Sequence, residues 1–185
     1  MRYLFIPSKA EKNNATAGEV AEPDPWVLRT PGLQDGYAIH QLIAACPPLD
    51  LNSVYVYLLL CEHFSGTCVV AAREHDVDGF ISAYRLPEKP NTLFVWQVAV
   101  HERARGSGLG QRMLQYLLEH VADVQFIETT VSPDNQASRR MFESLAQDHA
   151  VSLQESEFFE QSAFGEQDHP SEPLLRMGPF VRITA

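Results

Sequence analysis

The chain has 185 residues, 45% hydrophobic and 21% charged, which suits one globular domain built around a single core. A formal net charge of −10 argues against non-specific nucleic-acid binding and, more weakly, fits a cationic small substrate. Cys46, Cys61 and Cys68 lack metal-type spacing, and no apolar run nears the roughly 18 residues of a membrane span; a reduced, cytoplasmic protein with no metal and no membrane or nucleic-acid partner is expected.

Residues 1–24 are polar, rich in Ala, Glu and Asn, and read as a disordered extension or an arm that orders against a partner. The domain then spans 25–185. "WVLRT" (26–30) predicts a first strand, and Leu33, Tyr37, Ile39, Leu42 and Ile43 fit a helix ending before Pro47 and Pro48. "LDLNSVYVYLLLCEHF" (49–64) predicts a second helix, with Asn52 or Ser53 as N-cap. Two antiparallel strands follow, "TCVVAARE" (67–74) and "FISAYRL" (80–86), joined by the turn "HDVDG". "PEKPN" (87–91) turns the chain into the buried strand "TLFVWQVAV" (92–100).

A glycine loop leads from there into the helix "GLGQRMLQYLLEHV" (108–121), with Leu109, Met113, Tyr116, Leu117 and Val121 on one face. "VQFIETTV" (124–131) is a strand. "SPDNQASRRMFESLA" (132–146) has Pro133 near a helix start and apolar residues at helical spacing. Two further strands lie in 150–160 and 172–183. Strands and helices alternate only around the glycine loop, which favours a mixed sheet with packed helices over a doubly wound parallel one.

The loop holds Gly106, Gly108 and Gly110 with Arg103 and Arg105 beside them. A strand-to-helix loop with bare backbone offers free N–H groups to phosphate oxygens. The dinucleotide fingerprint G-x-G-x-x-G does not fit these alternate glycines, and no Gly-Lys-Ser/Thr follows for a P-loop. What fits is R-x-x-G-x-G, "RARGSG" (103–108), and one strand later "NQASRRMF" (135–142).

Together these resemble the pyrophosphate loop and the cofactor-contacting helix of the GCN5-related N-acetyltransferase (GNAT) family. The resemblance covers about 26–183. It implies an α/β (α+β) fold, with a mixed, mostly antiparallel sheet of six to seven strands and helices on both faces. It implies acetyl-CoA as co-substrate, with Arg103, Arg105, Gly106, Ser107, Gly108, Leu109, Gly110, Asn135 and Ser138 at the cofactor. In the family the strand before the loop splays from its neighbour, and one of its N–H groups polarises the thioester carbonyl. That places Val98, Ala99 and Val100 at the cofactor and makes the Val98 or Ala99 N–H the oxyanion donor. The family often has Tyr where this chain has Phe142, which cannot protonate a departing thiolate.

"PPLDLNSVYVYLLLCEHF" (47–64), "TLFVWQVAV", "ETTVSPDNQAS" (128–138) and "EPLLRMGPF" (172–180) resemble the family members that acetylate the 4-amino group of L-2,4-diaminobutyrate, whose product is the precursor of ectoine, a compatible solute. A diamino acid needs carboxylates to hold its ammonium ends. Asp50 is the first candidate, against a helix-capping role. Tyr55 offers a hydroxyl to the same pocket, against core packing, and stands among the catalytic candidates. The resemblance makes Trp96 pocket lining, against a core role, and Glu172 a substrate ligand or general base, against an exposed charge. Glu128 is another carboxylate near the cofactor strands, its face not fixed by alternation, and His101 after "VAV" is a phosphate-contact candidate, against a solvated loop histidine. None of the cysteines has a His-based activation motif, so direct attack in a ternary complex is expected. The family commonly forms homodimers. Competing readings are acetylation of another diamine or a protein lysine, and a non-catalytic acyl-CoA sensor.

Overall fold

The computed structural model describes residues 24–181 apart from His75 and Asp168. The expected N-terminal extension (apart from Asp24) and the last residues of the final strand lie outside them. Among the described residues the chain runs β1 (Val27–Arg29), α1 (Gly36–Ala44), α2 (Val54–His63), β2 (Val69–Arg73), β3 (Asp76–Leu86), β4 (Lys89–Val100), α3 (Leu109–His120), β5 (Phe126–Thr130), α4 (Gln136–Asp148), β6 (Ser152–Phe159) and β7 (Glu172–Gly178). They form one seven-stranded sheet in the order β1-β2-β3-β4-β5-β7-β6. Only β4 and β5 pair in parallel; every other neighbour is antiparallel.

Helices cover both faces, as expected. Leu109, Met113, Leu114 and Leu117 of α3, with Phe142 and Leu145 of α4, pack on Ile81, Leu93, Val95 and Ile127. On the other face Ile39, Leu42 and Ile43 of α1 and Tyr57, Leu60 and Cys61 of α2 pack on Val70, Phe80 and Ala99. Alternation along each strand sends successive side chains to these two cores.

Local departures from the expected elements have physical causes. The stretch expected as the "HDVDG" turn is mostly strand, because Asp76 and Val77 pair with Arg73 and Ala72. Glu74, at φ 55°, carries the reversal. Of "PEKPN" only Pro87 and Glu88 stay outside the strands, since Leu86 pairs with Lys89. The fourth helix starts at Gln136 rather than near Pro133, because the Asn135 side chain accepts the Ser138 N–H at 3.1 Å and caps it.

Of the four register shifts in the sheet, two leave a single residue unpaired on one strand. Between β2 and β3 the register passes from Ala71↔Gly79 to Ala72↔Val77 and leaves Asp78 unpaired. Between β3 and β4 it passes from Ser82↔Gln97 to Ala83↔Val95 and leaves Trp96 unpaired. Each extra residue re-aims the side chains around it.

Candidate active site

The parallel pairing of β4 with β5 runs from Thr92↔Phe126 to Val95↔Thr129 and stops there. Strand β5 stays with β7, and the Val131 N–H donates to the Pro173 carbonyl at 3.3 Å. From Trp96 onward β4 therefore has β3 on one edge and a gap on the other. N–H groups alternate between edges along a strand. The Gln97 N–H donates to Ser82 Oγ at 3.1 Å and the His101 N–H to the Asp78 carbonyl at 2.8 Å, so odd-numbered N–H groups here face β3. The Ala99 N–H shares that direction; those of Val98 and Val100 face the gap.

The glycine loop closes one end of the gap. Gly106 and Gly108 sit at φ 78° and 76°, in the left-handed region, and Gly108 is the N-cap of α3 with no side-chain cap. Beyond the adjoining residues, no protein atom lies within 4 Å of a Cβ built on either glycine. Their requirement is backbone conformation rather than room among neighbouring protein atoms. The first helical N–H with a backbone acceptor is that of Arg112, which donates to the Gly108 carbonyl at 3.1 Å, leaving the preceding N–H groups free at the positive end of the helix dipole. This bare, left-handed turn fits the pyrophosphate of a coenzyme A ester. Gly110 differs: a Cβ there would lie 2.7 Å from Met141 Sδ, on α4.

The flanking side chains are largely committed. Arg103 donates through Nε to Asp78 Oδ1 and through Nη2 to Asp76 Oδ2, both at 2.7 Å, and these carboxylates raise its pKa. The exposed Arg105 reaches the Val100 carbonyl at 3.3 Å. Ser107 Oγ donates to the Ala104 carbonyl at 2.7 Å, and His101 Nδ1 accepts the Arg103 N–H at 3.3 Å. Asn135 Oδ1 caps α4, leaving its amide N–H₂ for other work.

Of the residues expected at the acceptor, Asp50 is exposed in the loop before α2, and its carbonyl accepts the Gln97 side-chain amide at 2.9 Å. That bond ties the Asp50 loop to β4 beside Trp96. The Asn52 N–H donates to Tyr57 Oη at 3.3 Å and tethers the loop again. Tyr57 is wholly buried, whereas Tyr55 is 66% exposed, which removes core packing as its role. Trp96, at the bulge, is not a core residue either; it lines a cavity of about 350 Å³ with Val56, Leu59, Leu60, Phe64 and Tyr84. Glu172 is half-buried at the start of β7, paired with Phe159, at the end of the sheet toward which the gap opens. Among the described residues no hydrogen bond or ion pair joins it to Asp50, Tyr55 or Trp96.

Glu128 lies away from this group. It is buried, paired in register with Phe94 and Arg176, and held by Lys89 Nζ at 3.3 Å and by Arg176. Phe142 is 1% exposed in the α3/α4 core. Burial pushes the Cys61 thiol up to about 11 and that of Cys68 to about 12, unsuited to nucleophilic use. Among the described residues no cluster of three or more His, Cys, Asp or Glu could hold a metal ion. Two residues that sequence patterns leave unmarked, Asp78 and Gln97, prove to anchor the two loops; only long-range contacts reveal them.

A sheet that opens between two parallel strands, with an anion-binding turn at the mouth, is the framework of an acyl-CoA-dependent transferase. The chain belongs to the acetyltransferase (GNAT) family, whose model matches residues 36–146. It is 58% identical over 180 residues to the L-2,4-diaminobutyric acid acetyltransferase of Bordetella parapertussis, covering 94% of this chain and 97% of that one. It is 41% identical over 181 residues to the enzyme of the same name from Halomonas elongata, covering 95% and 94%. Its fold matches the diaminobutyrate acetyltransferase of Paenibacillus lautus, solved in complex with its substrate L-2,4-diaminobutyric acid and coenzyme A, with a TM-score of 0.82 and 42% identity over 86% of this chain and 98% of that one.

Proposed function

We propose that the domain, residues 25–185, transfers acetyl from acetyl-CoA to the 4-amino group of L-2,4-diaminobutyrate and thereby serves ectoine formation. The observation that carries this reading is the match to the Paenibacillus lautus enzyme, whose substrate complex shares this fold at 42% identity. The coenzyme ester supplies an activated acyl carbon. All else falls to the chain.

The loop N–H groups from Gly106 to Gly110 hold the pyrophosphate, the Arg105 N–H being taken by the Glu102 carbonyl at 3.1 Å, and Asn135 and Ser138 contact the coenzyme at the start of α4. The Val98 N–H takes the negative charge that develops on the thioester oxygen, because it faces the gap and the Ala99 N–H does not. Val100 presents a second N–H along the same edge. Asp50 holds an ammonium of the acceptor, with the Trp96 ring and the Tyr55 hydroxyl beside it. The acceptor amine is an ammonium at neutral pH, with a reference pKa of about 10.4, and has no lone pair until it loses a proton. Glu172 takes that proton, the neutral amine attacks the thioester carbon to give a tetrahedral oxyanion, and its collapse breaks the C–S bond while the second nitrogen proton passes to the departing sulfur, a transfer in which Phe142 has no part.

An amine-panel assay with acetyl-CoA, the acetylated nitrogen located by NMR, tests the reading. Thiol release with diaminobutyrate and acetyl on N4 are expected. Coenzyme binding without thiol release across the panel would instead mark a sensor. Glu172→Gln should chiefly lower kcat, with a deficit that shrinks as pH rises and more amine arrives neutral. A folded variant with wild-type kcat and pH profile removes the base assignment. Asp50→Asn should raise the diaminobutyrate KM and leave coenzyme affinity unchanged. The reading extends to a cytoplasmic homodimer of salt-stressed cells, supported by the free thiols and the family's habit, and light scattering reads the assembly directly.

A further inference from the structure

We propose that Asp78 is a positioning residue for coenzyme binding: it holds the 103–108 loop in shape through Arg103, whose guanidinium is thereby a strut rather than a phosphate ligand. The inference rests on the reading that this loop binds coenzyme A, but it needs no particular acceptor.

Asp78 is the residue skipped in the β2–β3 register, so the bulge turns its carboxylate out of the ordinary alternation. The residue is fully buried. A buried carboxylate survives only if donors surround it, and three side chains supply them. Trp26 Nε1 donates to Oδ2 at 2.9 Å, with Arg73 Nε 3.4 Å from the same oxygen. Arg103 donates through Nε to Oδ1 at 2.7 Å, and its Nη2 also contacts that oxygen. The Asp78 carbonyl takes the His101 N–H at 2.8 Å. Burial by itself raises the Asp78 pKa, but the hydrogen bonds from Arg103 and Trp26 and the charges of Arg103 and Arg73 outweigh it and leave the carboxyl below its ordinary value.

From Arg103 the bonds continue into the loop. Arg103 sits in the single turn Glu102–Ala104, closed by the Ala104 N–H to the His101 carbonyl at 2.8 Å. Ser107 Oγ then donates to the Ala104 carbonyl at 2.7 Å, which fixes the chain between Gly106 and Gly108. Two guanidiniums face two carboxylates in the Asp76–Asp78–Arg73–Arg103 cluster, so it presents no net positive charge to a phosphate. The sequence alone suggests the opposite use of Arg103.

The two uses predict opposite signs for Asp78→Asn. Removing the carboxylate frees the Arg103 charge: a phosphate ligand would then bind coenzyme A as well or better, whereas a strut that has lost its anchor should bind on the order of tenfold more weakly. Calorimetry with coenzyme A reads this without any acceptor, so a failure of the diaminobutyrate reading leaves the measurement intact. Arg103→Lys keeps the charge but loses the planar fork that spans both carboxylates, so it should show a similar loss. It carries the same test should Asp78→Asn fail to fold. The decisive comparison uses S-acetylpantetheine, which lacks the pyrophosphate. Its kcat/KM should be unchanged in both variants while that of acetyl-CoA falls. Equal losses with both acyl donors, or unweakened coenzyme affinity in either folded variant, overturn the proposal.

Discussion

Replacing Gly108 by alanine separates backbone geometry from steric room. At φ 76° the residue occupies the left-handed region, where an L side chain costs about 1–2 kcal/mol. Beyond its two chain neighbours nothing in the protein lies within 4 Å of the new methyl group, so no tertiary clash adds to that cost. The glycine is exposed at the N-cap of α3, and the free loop relieves the strain by shifting. Coenzyme binding must then restore the left-handed turn, and the cost appears as lost affinity: about 5- to 30-fold in Kd, at 1.4 kcal/mol per factor of ten. Calorimetry with coenzyme A gives this number, and a thermal melt on the same sample shows that the fold survives. Gly108→Asn should lose less than Gly108→Ala, because asparagine tolerates this region better despite its size. Unchanged affinity in the alanine variant refutes the requirement for a left-handed turn. A larger loss for asparagine than for alanine shifts the cause from backbone to crowding of the phosphate.

Gly110→Ala should leave stability nearly unchanged: its Cβ meets Met141 Sδ at 2.7 Å, but that sulfur lies far along a flexible side chain that can swing aside, and alanine gains about 1 kcal/mol of helix propensity. A thermal melt lowered by many degrees contradicts this and shows Met141 to be rigidly held. Asp35 is held below its ordinary pKa, first by the hydrogen bond from Arg29, against burial, and with help from the Gly32 N–H. Its contribution is therefore complete above the ordinary value of about 3.9 and is lost as pH falls through the lower folded value. Urea titrations should show Asp35→Asn about 1–3 kcal/mol less stable near neutrality and the gap closing in acid; a constant gap contradicts the linkage. Cys61 and Cys68 are buried and protonated at pH 8, so iodoacetamide should label them only after unfolding, and labelling of either in the folded enzyme contradicts their placement.

The order of elements, the amphipathic face of α3 and the glycine loop are legible in the sequence because each is a local pattern: a period, a spacing, a missing side chain. What local patterns do not carry is how strands meet. Asp78 reads as turn residue because it stands between Asp76 and Gly79, yet its partners Trp26 and Arg103 lie 52 and 25 residues away. Trp96 sits in a stretch, "LFVWQVAV", that is apolar except for Gln97 and in which nothing marks the extra residue of a bulge. The carboxylate of Glu128 looks available to the cofactor strands until β7 brings Arg176 alongside. Tyr55 and Tyr57 are two residues apart on a helix whose apolar residues go all the way round, so only the packed fold separates the exposed one from the buried one.

The bulge at Trp96 also governs how the length of β4 can vary. Before it, the odd-numbered Leu93 and Val95 belong to the α3/α4 core; after it, the even-numbered Val98 and Val100 pack there. Gln97 and Ala99 are thereby turned to the other side, where one ties down the Asp50 loop and the other packs under α1 and α2. Loss of the Trp96 codon would join Val95 to Gln97, whose partners Ala83 and Ser82 are already adjacent on β3. Alternation would become unbroken, and every remaining side chain would keep its present side. Gain of a codon has no such remedy, because a second extra residue would need a second bulge or would exchange the two sides of everything beyond it. The strand can thus shorten by one residue more readily than it can lengthen, and the residue it can shed is the aromatic side chain that lines the cavity beside α2. A lineage could discard that side chain in one step and keep both cores.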